Sequence, residues 1–240
     1  MIVKQKKKHS KKPLDYKENS SIDLHIHSSA SDGTLTPLQI ITLAQELGLG
    51  AIAITDHDTL AGSKEAMGLT VPATLELVTG IEISARPIAP FDTDSSYHIL
   101  GYFIDLEDPA LNQTLVELQQ IRSLRNQKIL QRLNTLGIMI TMEELRKGID
   151  AVEIGRPHIA TALMEKNMVH SIDEAFDQYL GRGKPAYVDK QRISCRKAIQ
   201  VISDAGGIPV LAHPGLLNID QENDLEALIV TLKETGLKGV

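Results

Sequence analysis

The stretch Ile22–Asp58, IDLHIHSSASDGTLTPLQIITLAQELGLGAIAITDHD, decides the fold class. Ile22 to Ile26 alternates apolar and polar side chains and predicts a short strand. Thr36-Pro37 opens a helix, because Thr is a good N-cap and Pro suits the first helical position. Leu38, Ile41 and the run Leu43 to Leu47 supply its apolar side, and Gly48 ends it. Ala51 to Thr55 is the continuous apolar run of a buried parallel strand. Strand, helix and strand in this order predict an α/β layer or barrel.

Outward from this unit the rhythm continues. A short helix is expected over Ser63 to Met67. Extended segments follow at Leu75 to Val78 and Ile81 to Ile83, around Gly80, and His98 to Ile104 reads as another strand. From Pro109 to about Leu180 the pattern turns helical. Leu111, Leu115, Leu118, Ile121 and Leu124 recur at three- and four-residue spacing. Thr141 to Glu144 and Ser171 to Glu174 have capping-box spacing, and a further helix is expected over Pro157 to Asn167. Helices bunched without strands predict an inserted subdomain. A strand is expected at Ala186 to Val188, and a helix over Cys195 to Asp204, capped by Ser194. Gly206-Gly207 leads into a strand at Ile208 to Ala212, and a last helix covers about Asn223 to Thr235. Gly236 to Val240 reads as the entry to one more strand. The expected division is a basic tail over 1–20, an α/β part over 21–106, a helical insertion over 107–182, and an incomplete α/β part over 183–240.

Composition narrows the function classes. The 240 residues are 42% hydrophobic and 23% charged, enough for a sizeable core. With 3% aromatics and no Trp, single-strand binding by base stacking is disfavoured. The single Cys195 excludes an intramolecular disulfide framework and a Cys-rich zinc site, and fits a reducing, cytoplasmic compartment. No run reaches the roughly 18 apolar residues of a membrane span. The first 17 residues carry a net +6, with Lys4, Lys6, Lys7, Lys8, Lys11, Lys12 and Lys17, so the remainder carries −12. The tail reads as a solubilising end. An acidic body argues against broad nucleic-acid binding but admits a small phosphorylated substrate if metal ions reverse the local charge.

Candidate ligands collect at strand ends. His25 and His27 alternate onto one face of the first strand. Asp32 follows in a Gly-containing loop. Asp56, His57 and Asp58 come directly after the second strand, Glu82 lies between two isoleucines, His98 opens a strand and His213 follows a late one. Active sites of α/β folds lie at the carboxyl ends of strands. Imidazole with carboxylate is a ligand set for Mn²⁺, Fe²⁺ or Zn²⁺. Asp56 reads as a partner that orients a ligating His, and Asp58 as a cap of the next helix. His9 and His170 read as exposed bystanders, and Cys195 as structural.

The ordered motifs Asp23-Leu-His25-Ile-His27-Ser28, Ser31-Asp32-Gly33, Thr55-Asp56-His57-Asp58, Gly80-Ile-Glu82-Ile-Ser84, His98-Ile-Leu-Gly-Tyr102 and Ala212-His213-Pro214-Gly215 resemble the PHP (polymerase and histidinol phosphatase) family. Gly155-Arg156-Pro-His158 and Gly183-Lys184-Pro-Ala-Tyr-Val188 are similar to its nucleoside 3′,5′-bisphosphate phosphatases, which also trim the 5′ ends of RNA. The resemblance implies a distorted (β/α)7 barrel with a helical subdomain over the site. It implies two or three divalent ions (Mn, Fe or Zn): one held by His25, His27 and Glu82, a second by Asp32 and His57, and a third by Glu82, His98 and His213. A metal-bridged hydroxide then attacks phosphorus, with no side-chain nucleophile. Arg156 and Lys184 are implied as phosphate grips, with His158 in substrate binding or proton transfer. The implied substrates are a small phosphorylated nucleotide or a short RNA end, with no membrane partner.

Family members continue past the last helix into a Glu-Val strand and a Gly-Ser-Asp-Phe-His motif, which this chain lacks. The expectation is a truncated chain whose last barrel strands are missing and whose activity on its own is in question. The alternatives are a histidinol-phosphatase-like enzyme and a non-catalytic metal- or nucleic-acid-binding module.

Overall fold

The computed structural model describes residues 21–91, 97–146, 154–217, 219 and 222–240. The basic segment 1–20, with its lysines and His9, lies outside the described residues. Six strands form one mixed sheet: β1 (Ile22–Ile26), β2 (Ala51–Ile54), β3 (Glu76–Arg86), β4 (Tyr97–Tyr102), β5 (Ile193–Ser194) and β6 (Ile208–Leu211). The order is β1-β2-β3-β4-β6, with β5 beside the end of β3. β1, β2 and β3 run parallel, β4 is antiparallel to β3 and to β6, and β5 is parallel to β3. Among the described residues this path is open, so the fold is a mixed α/β sheet without observed barrel closure.

Helices α1 (Pro37–Glu46) and α2 (Ala61–Met67) make the parallel crossovers. Thr36 caps α1 reciprocally: its Oγ1 accepts from the Gln39 N–H at 3.3 Å, and Gln39 Oε1 accepts from the Thr36 N–H at 2.9 Å. The helical stretch comprises α3 (Pro109–Thr135), α4 (Met142–Arg146), α5 (Arg156–Glu165) and α6 (Ile172–Ala175), which continues into a wider turn over Phe176–Leu180. The capping box at Thr141 and Glu144 forms at both ends. Helix α7 (Cys195–Asp204) follows β5 with Ser194 as its cap, and α8 (Glu222–Glu234) follows β6.

Three readings change. Leu75–Val78 and Ile81–Ile83 belong to one strand, because β2 pairs with residues 76–79 of β3 and β4 with residues 80–85. Gly80 does not break it: a Cβ there would stand 2.7 Å from Thr55 Cγ2 and 2.8 Å from the Ile54 carbonyl, so glycine admits close approach of β2. Ala186–Val188 is not a strand. The Ala186 and Tyr187 N–H groups donate to the carbonyls of Tyr179 and Lys184, which uses them within the helical region. The neighbouring strand is instead the two-residue β5. Gly236–Val240 contributes one bridge, Gly239 to Val210 of β6.

Packing forms three clusters. One gathers the sheet centre, α7, α8 and the first third of α3 around Ile81, Ile83 and Ile99. A second belongs to the helical region, around Ile129, Leu133, Ile159 and Leu163. The third lies between β1, β2, α1 and α2. Among the described residues no helix is long and apolar enough to cross a membrane.

Cys195 is 1% exposed in the sheet core, and its thiol donates to the Arg86 carbonyl at 3.2 Å. Burial pushes the thiol up to about 12. At pH 8 a colourless-to-coloured thiol titration is therefore expected to leave the native chain unreacted and to proceed at the rate of unfolding in denaturant. Fast labelling without denaturant would contradict this packing.

Candidate metal centre

Glu82 sits in the middle of β3 with 0% exposure. The chain leaving β2 continues alongside it: Glu82 N–H donates to the Asp56 carbonyl and Asp58 N–H to the Glu82 carbonyl, which sets His57 against the carboxylate. Antiparallel pairing places His98 opposite Ser84. The Ala212 N–H donates to the His98 carbonyl, and His213 follows with φ of +32°, outside the conformations that most residues favour. β1 supplies His25 and His27 from the other side.

Five imidazoles converge on this one carboxylate. Oε1 lies 3.1 Å from His98 Nδ1, 3.1 Å from His213 Nε2 and 3.4 Å from His25 Nε2. Oε2 lies 3.0 Å from both His27 Nε2 and His57 Nδ1. Asp32 closes the outer side, 2.7 Å from His27 Nδ1 and 3.7 Å from His57 Nε2. All seven ligand candidates thus meet. Three trios have donor atoms within 4.8 Å of one another: His25, Glu82 and His213; His27, Asp32 and His57; and His57, Glu82 and His98. This partition differs from the implied one, because His27 groups with Asp32 and not with His25. Each trio is a donor set that could hold a divalent cation.

The electrostatics are those of a compressed ligand cluster. Burial would push the Glu82 carboxyl up, but the imidazoles of His213, His25, His27 and His98 outweigh it and hold it far below the usual carboxylate range. Burial brings His57 down to about 4. His27 is opposed by burial, yet Asp32 and Glu82 raise it to about 10. Despite the 3.0 Å separation, His57 Nδ1 and Glu82 Oε2 form no aligned hydrogen bond, and each is a buried polar atom without one. Close approach without alignment is expected of ligand atoms that face a common third atom.

Asp56 and Asp58 take other roles than those expected. Asp56 does not orient His57. Its Oδ1 accepts from the Ser28 N–H at 2.7 Å and from Ser31 Oγ at 2.6 Å, and its Oδ2 from Ser28 Oγ at 2.7 Å. It ties down the loop between His27 and Asp32. Asp58 does not cap α2. It accepts from the Ser84 N–H at 2.8 Å and pairs with Arg122 and, at 3.5 Å, with Lys190.

Beside the cluster opens a cleft of about 200 Å³. Asp32, His57 and His98 line it together with Arg122, Arg125, Arg156 and Lys190. Arg156 is in place, with its guanidinium carbon 5.2 Å from the centre of the Phe176 ring and Nη1 donating to the Leu180 carbonyl. His158 lines the cleft too, and its Nδ1 accepts from the Gly155 N–H at 2.9 Å. That bond makes the neutral ring an Nε2–H donor. Lys184 is exposed and does not line the cleft. Lys190 lines the cleft instead. Arg122, Arg125 and Lys190 were not found by motif reading. A signal did exist: Leu111, Leu115, Leu118, Arg122, Arg125 and Ile129 continue one helical stripe, on which two cations stand at core-facing positions. His170 is exposed, as expected.

The PHP domain model matches residues 23–235. The chain belongs to the PHP domain family. The 5′-3′ exoribonuclease Rnm of Escherichia coli is 36% identical over 200 residues, covering 82% of this chain and 66% of that protein. The 3′,5′-nucleoside bisphosphate phosphatase of Chromobacterium violaceum is 32% identical over 222 residues, covering 92% of this chain and 76% of that one. A solved structure from Bifidobacterium adolescentis, described as a candidate metal-dependent phosphoesterase, superposes with a TM-score of 0.75 at 30% identity, over 92% of this chain and 76% of that one. The chain therefore spans about two-thirds to three-quarters of these relatives.

A Cβ at Gly62 would stand 2.0 Å from Asp56 Oδ2 and 2.4 Å from Ser28 Oγ. Gly62→Ala is expected to cost roughly 1–3 kcal/mol by overpacking and to lower bound metal measured by elemental analysis; unchanged metal content would show that the loop does not depend on Asp56. Burial raises Asp58, but Lys190, Arg122 and the Ser84 N–H overcome it and hold the carboxyl well below its unfolded value of about 4. Its contribution to stability is full above that unfolded value and drains as pH falls towards the folded one. Asp58→Asn is expected to lose about 3–5 kcal/mol at pH 7 in urea melts, because two cations stay buried without it, and progressively less relative to the parent chain below pH 4. A constant difference down to pH 2 would contradict the assignment.

Proposed function

We propose that the chain carries a metal-dependent phosphoesterase site, acting on a phosphomonoester of a small nucleotide such as a 3′,5′-bisphosphate, or on the 5′ ends of short RNA. The observation that carries this reading is one buried carboxylate ringed by five imidazoles beside a cation-lined cleft. The names of the relatives support the nucleotide class, and the parallel run β1-β2-β3 with its two crossover helices supports assigning the sheet to a distorted (β/α)7 barrel.

The residues present fit a divalent metal. The unaligned His57 Nδ1–Glu82 Oε2 contact and the three donor trios are the reason. His25, His27, Asp32, His57, Glu82, His98 and His213 would hold two or three ions of Mn, Fe or Zn. Such ions supply Lewis acidity to a phosphoryl oxygen and acidify water. The chain itself does the rest. Glu82 presents an oxygen to each side of the cluster. Arg156 offers a planar fork to phosphate oxygens, held in direction by Phe176 and the Leu180 carbonyl. His158 donates from Nε2, which suits an anion acceptor and not the abstraction of a proton. The chemistry then needs no Ser or Cys nucleophile, and Cys195 lies buried in the sheet core.

The test is hydrolysis by Mn²⁺-loaded protein of adenosine 3′,5′-bisphosphate, histidinol phosphate and a short 5′-phosphorylated RNA. Release of phosphate or nucleotide from the nucleotide substrates, with histidinol phosphate at least tenfold slower, is expected. Glu82→Gln is expected to lower both metal content and rate, the rate by two orders of magnitude or more. Full metal occupancy with no hydrolysis of any phosphoester would reject the reading in favour of a non-catalytic metal-binding module.

A further inference from the structure

Ser84 brings to the cleft a hydroxyl that the folded chain leaves unused. It stands on β3 two residues beyond Glu82. Strand alternation turns both side chains to one face, roughly 6.5 Å apart along the backbone. Antiparallel pairing sets His98 directly opposite Ser84, and cross-strand neighbours of this kind share a face with Cβ atoms about 5 Å apart. Ser84 is thus flanked by two members of the ligand cluster, and it lines the cleft beside His57 and His98. Its main chain is committed, since its N–H donates to Asp58 Oδ1 at 2.8 Å. Its side chain is not. The residue is 1% exposed, and Oγ is a buried polar atom without a hydrogen-bond partner among the described residues.

A buried hydroxyl without a partner is unfavourable, because it has given up water and gained nothing. The other buried serines near the cluster avoid this. Ser28 and Ser31 donate to Asp56, and Ser63 Oγ accepts from the Gly80 N–H at 3.2 Å. An alanine at position 84 would fill almost the same space and keep the Asp58 bond, which needs only the main chain. The hydroxyl is therefore matched to an acceptor that arrives from the cleft. A phosphoryl group drawn to the ligand cluster is such an acceptor, and its oxygens are anionic. A neutral donor at the strand adds direction to that contact without adding to the charge of the cleft.

We propose that Ser84 is a substrate-binding residue whose Oγ–H donates to a non-bridging oxygen of the phosphoryl group undergoing hydrolysis, on the β3 side of the cleft. The inference rests on the phosphoesterase reading for the identity of that anion. Ser84 is a donor and not a nucleophile: no imidazole or carboxylate accepts from its Oγ, so no base is in place to take its proton.

The experiment compares Ser84→Ala with the parent on the full chain. The melting midpoint of metal-free protein is expected to stay equal or rise, because the substitution removes an unsatisfied hydroxyl. Bound Mn²⁺, counted by elemental analysis, is expected to be unchanged. Calorimetry of inorganic phosphate on Mn²⁺-loaded protein is expected to show at least fivefold weaker binding. With adenosine 3′,5′-bisphosphate, kcat/KM is expected to fall about 10- to 100-fold, the size of one hydrogen bond to a charged acceptor. Phosphate affinity and kcat/KM both within threefold of the parent would overturn the proposal, as would lost activity without weakened phosphate binding. A lowered melting midpoint or lost metal would overturn it too, by showing that Ser84 supports the fold or the ligands. If the loaded parent hydrolyses no phosphoester, the phosphoesterase reading fails, and the difference in phosphate affinity still decides whether Ser84 seats a phosphoryl group.

Discussion

The constraint on which the rest of the molecule depends is the burial of the Glu82 carboxylate at the centre of the sheet. A carboxylate at 0% exposure cannot persist there without compensation. Five imidazoles from four separate segments provide it, each within 3.4 Å. That requirement explains the local architecture. β3 is long enough, at 11 residues, to pair with β2 in its first half and β4 in its second. The chain after β2 stays in register past Ile54 to deliver His57. The chain after β6 accepts an uncommon backbone conformation at His213 to turn its ring inward.

Much of this was legible because chemistry and periodicity coincided. His25 and His27 share a face since strands alternate with a period of two, and the parallel unit from Ile22 to Asp58 is bounded by an unambiguous Thr-Pro cap. Glu82 stood out as a charge inside an apolar strand. What periodicity could not decide was continuity. Gly80 resembles a turn signal, yet it marks the place where β2 presses against β3, and only the partner strand reveals that. Ala186 to Val188 has the composition of a strand, but its N–H groups are already used by Tyr179 and Lys184. Open sheet or closed barrel is likewise a matter of long-range pairing, to which local composition is indifferent.

The half of the site hidden from motif reading is the cationic one. Ligand clusters need fixed residue types at fixed strand ends, so their spacing survives as a pattern. Phosphate-binding cations need only reach the same space, from whichever element passes by. Lys184 sits in the better motif but is exposed and does not line the cleft, whereas Lys190, outside any motif, lines it and pairs with Asp58. Arg122 and Arg125 lie on a stripe whose other members are leucines and an isoleucine, and such a stripe is ordinarily read as core throughout.

That placement explains how the cleft is held open and charged. The first third of α3 packs into the sheet core through Leu111, Leu115 and Leu118; its last third packs into the helical core through Ile129, Leu130 and Leu133. Arg122, Arg125 and Asn126 occupy the buried interval between them. Asn126 Nδ2 donates to the Ile154 carbonyl at 2.7 Å, tying the lead-in of α5 to α3. Asp58 ties Arg122 back to β3 through the Ser84 N–H. A helix anchored in two cores therefore fixes Arg122 and Arg125 relative to the ligand cluster. Preorganised charge of this kind is where electrostatic stabilisation is strongest, and here it arises from apolar packing at both ends of α3.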